Sequence, residues 1–378
     1  MFRLMGLRRA ACVAIALAAT GGWLAPADAA PTTQPAPSWV PNGTVYAVAH
    51  VGNVVYLGGK FTALRDPATG AQVARARVAA LDATTGALIR DWNPGANGVV
   101  RAIAVGSNGT VYLGGDFTAA GGRTAVRLAA ISPSGASVSG WSASANGVVQ
   151  DIWASGSSVY VGGRFGSVNG RSRGGVAKLA AATGALQSAF DAKMGGGRVW
   201  AIEPSPDGGS LVLGGWFTSL SGQSRLFAGA VSLDTGEVTG WRPPSECSTC
   251  YVMGLASDSS SVYAATAGPG GRVVAWSGTT GSRRWVRGGD GNVQAVDVHG
   301  GVVYAGGHFG PKFSGTTRHQ LAAMNASTGA LLSYSLPFSG NDHPGVWSVE
   351  ADASGLRLGG GFTFAGNPAA RYAYLREQ

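Results

Sequence analysis

The sequence predicts an all-β fold, because one strand-and-turn phrase returns along the chain. It reads VYLGGKF at 55–61, and variants of it stand at 111–117, 159–165, 212–217, 262–265, 303–309 and 358–362. Units that recur at this period cannot bury a face alone and must stack on their neighbours. An aromatic residue closes each copy and gives an independent count of seven: Trp39, Trp92, Trp141, Phe190, Trp241, Trp285 and Tyr334. The chain is therefore predicted to be a seven-bladed β-propeller.

Each copy is expected to supply four short antiparallel strands. The first begins Val-x-small-aliphatic, as in 100–103, and the second carries the repeated phrase. The third resembles 127–131, and the fourth follows a Thr-Gly turn and ends in the aromatic, as in 85–92. Alternating apolar residues between turn signals favour strands over helices.

The two chain ends are expected to share the last blade. Residues 371–375 match a third strand, whereas 39–45 match the end of a fourth strand followed by the start of a first. The N-terminal segment would then complete the last blade, and the closed ring would leave only short sheet edges. We expect the propeller to span 39–378, after a signal peptide over 1–29 and a Pro-rich leader over 30–38.

The first residues are typical of an export signal. Three arginines, Arg3, Arg8 and Arg9, precede an apolar run over 10–19, and the small residues at 27–29 suit cleavage. The adjacent Arg8 and Arg9 leave twin-arginine export open beside the general route. The run is too short to span a membrane. We therefore expect a secreted protein with no membrane span.

Composition and charge limit the partners. The 378 residues include 62 glycines, carry a formal net charge of +9, and are 45% hydrophobic but only 12% charged. Because the basic residues are scattered rather than clustered, a nucleic-acid groove is not expected. In an exported chain Cys247 and Cys250 are expected to form a disulfide, with a redox motif as the alternative. We expect a monomer.

Residues that recur in every copy are expected to serve packing. The double glycines would permit close backbone approach or a positive φ. Six phenylalanines are predicted to lie in the core between blades: Phe61, Phe117, Phe165, Phe217, Phe309 and Phe362. Arginines near the third strand are predicted to bond carbonyls or carboxylates between blades: Arg77, Arg127, Arg173, Arg225, Arg318 and Arg371.

Two resemblances follow from these motifs. Gly-Gly-Asp116-Phe117-Thr118, with 121–123 and 127–130 behind it, resembles the delta-60 repeat family of bacterial β-propellers over nearly all of 39–378. That family implies the fold and carries no agreed catalytic residues. Residues 80–92, and 233–236 with Trp241, are similar to the repeats of quinoprotein dehydrogenases. Those enzymes stack their quinone on adjacent cysteines, whereas two residues separate Cys247 from Cys250, so no cofactor is expected.

Two variable positions are candidates for a binding site, because repeat scaffolds build specificity where their copies differ. The residue after the first-strand valine is Tyr46, Arg101, Gln150, Trp200, Met253, Gln294 or Trp347. The residue after the Gly-Gly pair is Lys60, Asp116, Arg164, Trp216, His308 or Gly361. Both rings are expected at the face where the first strands begin, which we call the mouth face.

Aromatic platforms among Arg, Gln and Asp suit sugar or peptide ligands. We predict a non-catalytic module that binds an extracellular carbohydrate or protein, although solvation and packing also explain the ring residues. The alternative is a secreted enzyme, a polysaccharide hydrolase or lyase or a quinoprotein-like dehydrogenase, with Asp116, Asp151 and Glu203 near the axis. His50 and His299 are expected in exposed turns, and His343 in a loop. No histidine pair has metal-ligand spacing, so no metal site is expected.

Overall fold

The computed structural model describes residues 30–310, 312–339 and 344–378. The predicted signal peptide and His343 lie outside these ranges. Among the described residues every regular element is a β-strand and none is a helix, and all strand pairs are antiparallel. The prediction of an all-β fold is confirmed.

Seven sheets, numbered here in chain order, share one arrangement in which a first strand pairs with a second and the second pairs with a third. The first strands are β2 (Val45–Val51), β7 (Val100–Val105), β12 (Val148–Ser155), β17 (Arg198–Pro204), β22 (Tyr251–Ser257), β26 (Val293–His299) and β32 (Val346–Asp352). The second strands are β3 (Val54–Gly59), β8 (Val111–Gly115), β13 (Ser158–Arg164), β18 (Ser210–Trp216), β23 (Ser261–Ala267), β27 (Val302–Gly307) and β33 (Gly355–Phe364). The third strands are β6 (Val78–Asp82), β11 (Leu128–Ile131), β16 (Val176–Ala180), β21 (Ala228–Ser232), β24 (Arg272–Ser277), β30 (Leu321–Asn325) and β34 (Asn367–Arg376).

Small hairpins connect the second strand to the third in five of these sheets. They are β4 (Ala63–Arg65) with β5 (Gln72–Ala74), β9 (Ala119–Ala120) with β10 (Arg123–Thr124), β14 (Ser167–Val168) with β15 (Arg171–Ser172), β19 (Ser219–Leu220) with β20 (Gln223–Ser224), and β28 (Lys312–Phe313) with β29 (Thr316–Thr317). The remaining strands are β1 (Val40–Pro41), which pairs with β4, β25 (Arg283–Gly288), which pairs with β24, and β31 (Phe338–Ser339), which pairs with β33.

The first strands lie side by side in chain order. Each contacts the first strand of the next sheet, and β32 of sheet 7 contacts β2 of sheet 1. Each sheet is itself open, so this continuity comes from packing between sheets. Five of the first strands line a cavity of about 40 Å³, to which they contribute Ala49, Ile103, Ile152, Ile202 and Glu350.

The glycine pairs are explained by close approach rather than by a positive φ. A Cβ on Gly114 would lie 2.6 Å from Val149 Cγ1 of the next first strand, and a Cβ on Gly115 would lie 2.1 Å from Val99 O across its own hairpin. Neither glycine has a positive φ. The repeated phrase thus encodes contact between sheets, and the six recurrent phenylalanines are all buried.

The predicted fourth strand is much shorter than expected. It is a full strand in sheet 5, as β25, but a single β-bridge in five others: Leu81–Leu88, Ile131–Ser137, Leu179–Leu186, Val231–Val238 and Met324–Leu331. We call the chain predicted as the fourth strand the fourth segment. In four of these sheets an arginine guanidinium donates a hydrogen bond to a main-chain carbonyl of that segment. The donors, with their acceptors, are Arg75 (Arg90 O, 2.7 Å), Arg173 (Ser188 O, 3.0 Å), Arg225 (Thr239 O, 2.9 Å) and Arg318 (Leu332 O, 2.6 Å).

The recurrent arginines therefore occupy two positions rather than one. Arg173, Arg225 and Arg318 donate within their own repeat and not between sheets. Arg77 and Arg127 stand two residues further along at φ near 70°, and donate to Lys60 O and Phe117 O. The sequence spacing did not separate the two positions, because either places an arginine just before the third strand.

The N-terminal segment runs along the last strand of sheet 7. The amide of Thr32 donates to Arg376 O at 2.8 Å, and the amide of Ala36 donates to Tyr374 O at 2.7 Å. Trp39 is buried in a cluster with Tyr372. Residues predicted as a leader thus take part in the outer edge of this sheet.

Candidate functional site

The first predicted ring consists of β-bulge residues. In sheet 1, Val45 pairs with Gly59 and Ala47 pairs with Gly58, so that Tyr46 is the extra residue between them. The same shift occurs in every first strand and marks Arg101, Gln150, Trp200, Met253, Gln294 and Trp347. A bulge turns a side chain away from the regular alternation of the strand. One backbone irregularity therefore fixes the position of this residue in every sheet, where five residue types occur and one member, Gln294, is buried.

Members of this ring meet across sheet boundaries. The rings of Tyr46 and Trp347 lie edge to face with centroids 5.4 Å apart, and the Arg101 guanidinium lies 5.3 Å from the Tyr46 centroid. The Gln294 amide, oriented to satisfy its neighbours, donates to Val346 O at 3.3 Å. Sheets 6, 7, 1 and 2 thus contribute to one continuous group.

The second predicted ring lies at the same edge. Arg164 pairs with Val148 and Trp216 pairs with Arg198, so the ends of these second strands stand opposite the starts of the first strands. Lys60, Asp116, Arg164 and Trp216 are exposed, whereas His308 is half-buried.

Trp216 belongs to an aromatic cluster at this edge. Its ring centroid lies 5.6 Å from that of Phe227 and 5.3 Å from that of Tyr251. Its 42% exposure is unusual for a large apolar side chain, and Leu226, beside Phe227 in the chain, is 44% exposed. Exposed apolar groups of this size commonly mark interaction sites.

A recurrent asparagine shapes the loops of the mouth face. The Asn97 carboxamide oxygen accepts the amides of Thr118 and Ala119, both at 2.9 Å, and Asn42 and Asn146 repeat the arrangement. A Cβ on the following Gly98 would lie 2.2 Å from Asp116 O. Sequence reasoning missed these asparagines, although the Asn-Gly pairs at 42–43, 97–98 and 146–147 are a visible signal.

The three candidate catalytic carboxylates each have a structural partner. Asp116 lies 3.2 Å from the Arg127 guanidinium, and Glu203 accepts from Ser257 Oγ at 2.9 Å. Asp151 accepts the amides of Ile152 and Ile202, each at 2.9 Å. A first strand pairs on one side only, so its other edge has N–H groups without a ladder partner. Asp151 supplies an acceptor across the boundary between sheets 3 and 4.

The prediction that His50 is an exposed turn residue is wrong. His50 lies in β2 with a 15% exposed side chain, and its Nδ1 stands 2.6 Å from Asp352 Oδ2 of sheet 7. Burial opposes ionisation of Asp352, but hydrogen bonds from His50 and Ser354 and the charge of Arg357 outweigh it and hold its pKa well below the ordinary value. No sequence pattern predicts this cluster, because His50 is 302 residues away from Asp352 along the chain. His299 is half-buried at the end of β26, and His319 is exposed.

A disulfide joins Cys247 and Cys250 in the loop before β22. Arg272 Nη1 lies 2.8 Å from Cys250 Sγ. The disulfide closes a short loop directly before Tyr251, which packs on Trp216.

The described residues contain no group of three or more His, Cys, Asp and Glu side chains positioned to hold a metal ion. Within the same ranges, no helix has the length and apolar character needed to cross a membrane.

No protein-family model matches the chain, and no curated protein matches it. Among solved structures, the WD40 β-propeller domain of Doa1 is similar with a TM-score of 0.57 and 11% identity, over 89% of this chain and 98% of that one. A computationally designed protein, Ika8, is similar with a TM-score of 0.56 and 16% identity, over 90% of this chain and 100% of that one. Identities this low show the fold alone. The chain has a β-propeller fold, and the two family resemblances stay predictions.

Proposed function

We propose that the seven sheets are the blades of one closed ring in a secreted protein. The contact between sheets 7 and 1 supports closure, because it repeats the contact between other neighbours. A Cβ on Gly359 of sheet 7 would lie 2.8 Å from Val45 Cγ1 of sheet 1, as one on Gly58 would lie 2.7 Å from Val100 Cγ1 of sheet 2. The amides of Thr32 and Ala36 support completion of the last blade by the N-terminal segment. Export through residues 1–29 and the delta-60 resemblance belong to the same proposal.

The propeller fold is typical of protein-binding and scaffold modules. We infer that this chain is a non-catalytic, monomeric module that binds an extracellular carbohydrate or protein through its mouth face. One observation carries the inference: a bulge at the same position in all seven first strands places aromatic, cationic, amide and thioether side chains around one edge.

Binding is favoured over catalysis by the partners of the candidate carboxylates. Asp116 is paired with Arg127, Asp151 with two amides, and Glu203 with a serine hydroxyl. A hydrolase needs two carboxyl groups turned toward the scissile bond. Each of these groups instead holds a neighbouring part of the fold.

The exposed surfaces of the ring tryptophans are suited to binding a sugar. The indole nitrogens of Trp200 and Trp347 are buried, so the exposed part of each ring is carbon. Flat apolar surfaces of this kind stack against sugar faces. Neighbouring guanidinium groups donate hydrogen bonds to sugar hydroxyls, and neighbouring amides both donate to them and accept from them.

The test replaces Trp200 and Trp347 with alanine, singly, and measures retention of the mature protein on immobilised cell-wall glycans and polysaccharides. Because each ring would contribute a stacking contact, we expect binding about three- to tenfold weaker for each variant. Trp141→Ala is the control, since Trp141 is also half-buried but packs on Tyr112 at the end of a fourth segment. Retention equal to that of the parent in both ring variants, with their folds intact, would remove the ring from the proposed site.

A further inference from the structure

We propose that the ligand is an acidic polysaccharide, held along an arc of four cations on the mouth face. The arc consists of Lys60, Arg101, Arg164 and Arg198. This inference rests on the proposed binding function and narrows it to one class of ligand.

The four cations keep their hydrogen-bonding groups free of other described residues, although Arg101 and Arg198 each lie over an aromatic ring. Among the residues that the structure describes, no carboxylate forms an ion pair with any of them, and none of their side-chain nitrogens donates a hydrogen bond. Two other arginines, by contrast, are engaged: Arg127 pairs with Asp116 at 3.2 Å, and Arg357, only 1% exposed, pairs with Asp352 at 3.0 Å. A cation–π contact uses the face of the guanidinium and leaves its N–H donors without a hydrogen-bond acceptor, so all four side chains can still bond to an anionic ligand.

The cations follow the order of the sheets. Lys60 comes directly after β3 of sheet 1, Arg101 is the bulge residue of β7, Arg164 ends β13, and Arg198 begins β17. Sheets 1 to 4 pack in this order through their first strands. The positive charge therefore extends along one continuous part of the mouth. Asp116, the acidic residue of the two rings, is neutralised within this part by Arg127.

Aromatic side chains stand at both ends of the arc. At one end Trp347 packs on Tyr46, under the Arg101 guanidinium. At the other end the Arg198 guanidinium lies 5.3 Å from the Trp200 centroid, and Trp216 packs on Tyr251. A chain of sugars that carry carboxylates would place its faces on the rings and its charges on the cations.

The same surface is less suited to binding a protein partner. The core of a protein interface buries large apolar side chains in well-packed pockets. Among the described residues, the exposed large apolar side chains are Trp216 and Leu226, and both lie at one end of the arc. The arc itself consists of charged side chains, which favours a charged glycan.

Charge also distinguishes the two ends of the first strands. Glu203, Asp297 and Glu350 lie near the far ends of β17, β26 and β32, away from the mouth face. An anionic chain is attracted to the starts of these strands and repelled from their far ends. The inferred ligand would therefore remain at the mouth.

The experiment compares an acidic polymer with its uncharged ester and adds a second acidic polymer built from other sugars. Binding of the mature protein to immobilised polygalacturonate, to its methyl-esterified form and to alginate is measured at low and high salt. We expect polygalacturonate and alginate to bind at least about tenfold more tightly than the ester at low salt, with the difference shrinking as salt screens the charges. Arg101→Gln and Arg198→Gln should each weaken binding to the acidic polymers by about tenfold and leave binding to the ester unchanged.

Arg376→Gln is the matched control, because Arg376 is exposed at the end of β34 and donates to Thr84 O rather than facing the mouth. It should bind every polymer as the parent does. Equal binding to polygalacturonate and its ester, no binding to either acidic polymer, or an equal loss in Arg376→Gln would overturn the inference. If tryptophan variants still weaken binding to neutral glycans or to an acidic peptide, the proposed binding function stands and only the ligand class falls.

Discussion

At the residue scale, a cluster of buried and half-buried charged side chains lies at the boundary between sheets 7 and 1. Asp352 accepts from His50 Nδ1 at 2.6 Å and from Arg357 Nη1 at 3.0 Å, and the Arg357 guanidinium lies 4.2 Å from the Tyr374 ring centroid. Glu350 accepts the amide of His50 at 2.9 Å. These contacts join the two ends of the chain, so their loss should weaken the whole molecule.

Asp352→Asn tests this cluster. It leaves the buried charge of Arg357 without its carboxylate, which should lower the free energy of unfolding by about 3 kcal/mol at neutral pH. Because the folded protein lowers the pKa of Asp352, the carboxylate contributes stability above its unfolded pKa near 3.8 and loses that contribution as the pH falls further. The difference between parent and variant in urea unfolding should therefore shrink below about pH 4.

Asp234→Asn is the control, since Asp234 is 94% exposed and stands 3.9 Å from Lys178. An exposed pair of this kind contributes at most about 1 kcal/mol. Equal losses in the two variants, or a difference between parent and Asp352→Asn that stays constant down to about pH 2, would contradict the assigned role of Asp352.

At the element scale, the first and second strands were predictable because close packing restricts their residues. Only glycine fits where Gly114 meets Val149, and that restriction recurs in most copies. The length of the fourth strand could not be predicted. A hydrogen bond from the Arg75 guanidinium to the main chain replaces strand-to-strand hydrogen bonds there, and a single side-chain bond produces no periodic pattern in the sequence.

The site was predicted in part. The positions of both rings follow from hairpin topology, which places the start of a first strand opposite the end of a second. The bulges were missed, although the apolar pair Ala47 and Val48 after Tyr46 breaks the period of two. The partner of Arg127 could not be read from the chain: the sequence predicts a carbonyl or a carboxylate for it, and only the fold shows that the carboxylate is that of Asp116.

Gly114→Ala tests the packing between sheets. The added methyl would stand 2.6 Å from Val149 Cγ1 and 2.9 Å from Ile152 Cδ1, so overpacking should cost about 1–3 kcal/mol in thermal or urea unfolding. Gly240→Ala is the control, because no atom lies within 4 Å of its added Cβ and its φ is not positive. A Gly114→Ala variant as stable as Gly240→Ala would show that the glycine pairs have another role.

At the scale of the whole molecule, binding at one face depends on how the sheets are arranged. If sheet 7 packs on sheet 1 as the others pack on one another, the bulge residues surround a single mouth, and the cations of sheets 1 to 4 form one arc. If the ring were open, Trp347 and Tyr46 would separate and the arc would lose its aromatic end. The ligand proposals therefore depend on closure.

Amide hydrogen exchange of segment 30–38 tests closure most directly. The amides of Thr32 and Ala36 donate to carbonyls of β34, and Tyr334 OH donates to Thr32 O at 2.9 Å, so the segment should exchange slowly in the native protein. Protection comparable to that of β34 is the result expected for an N-terminal segment that completes the last blade. Exchange at the rate of an unstructured chain, with β34 still protected, would contradict the closed ring.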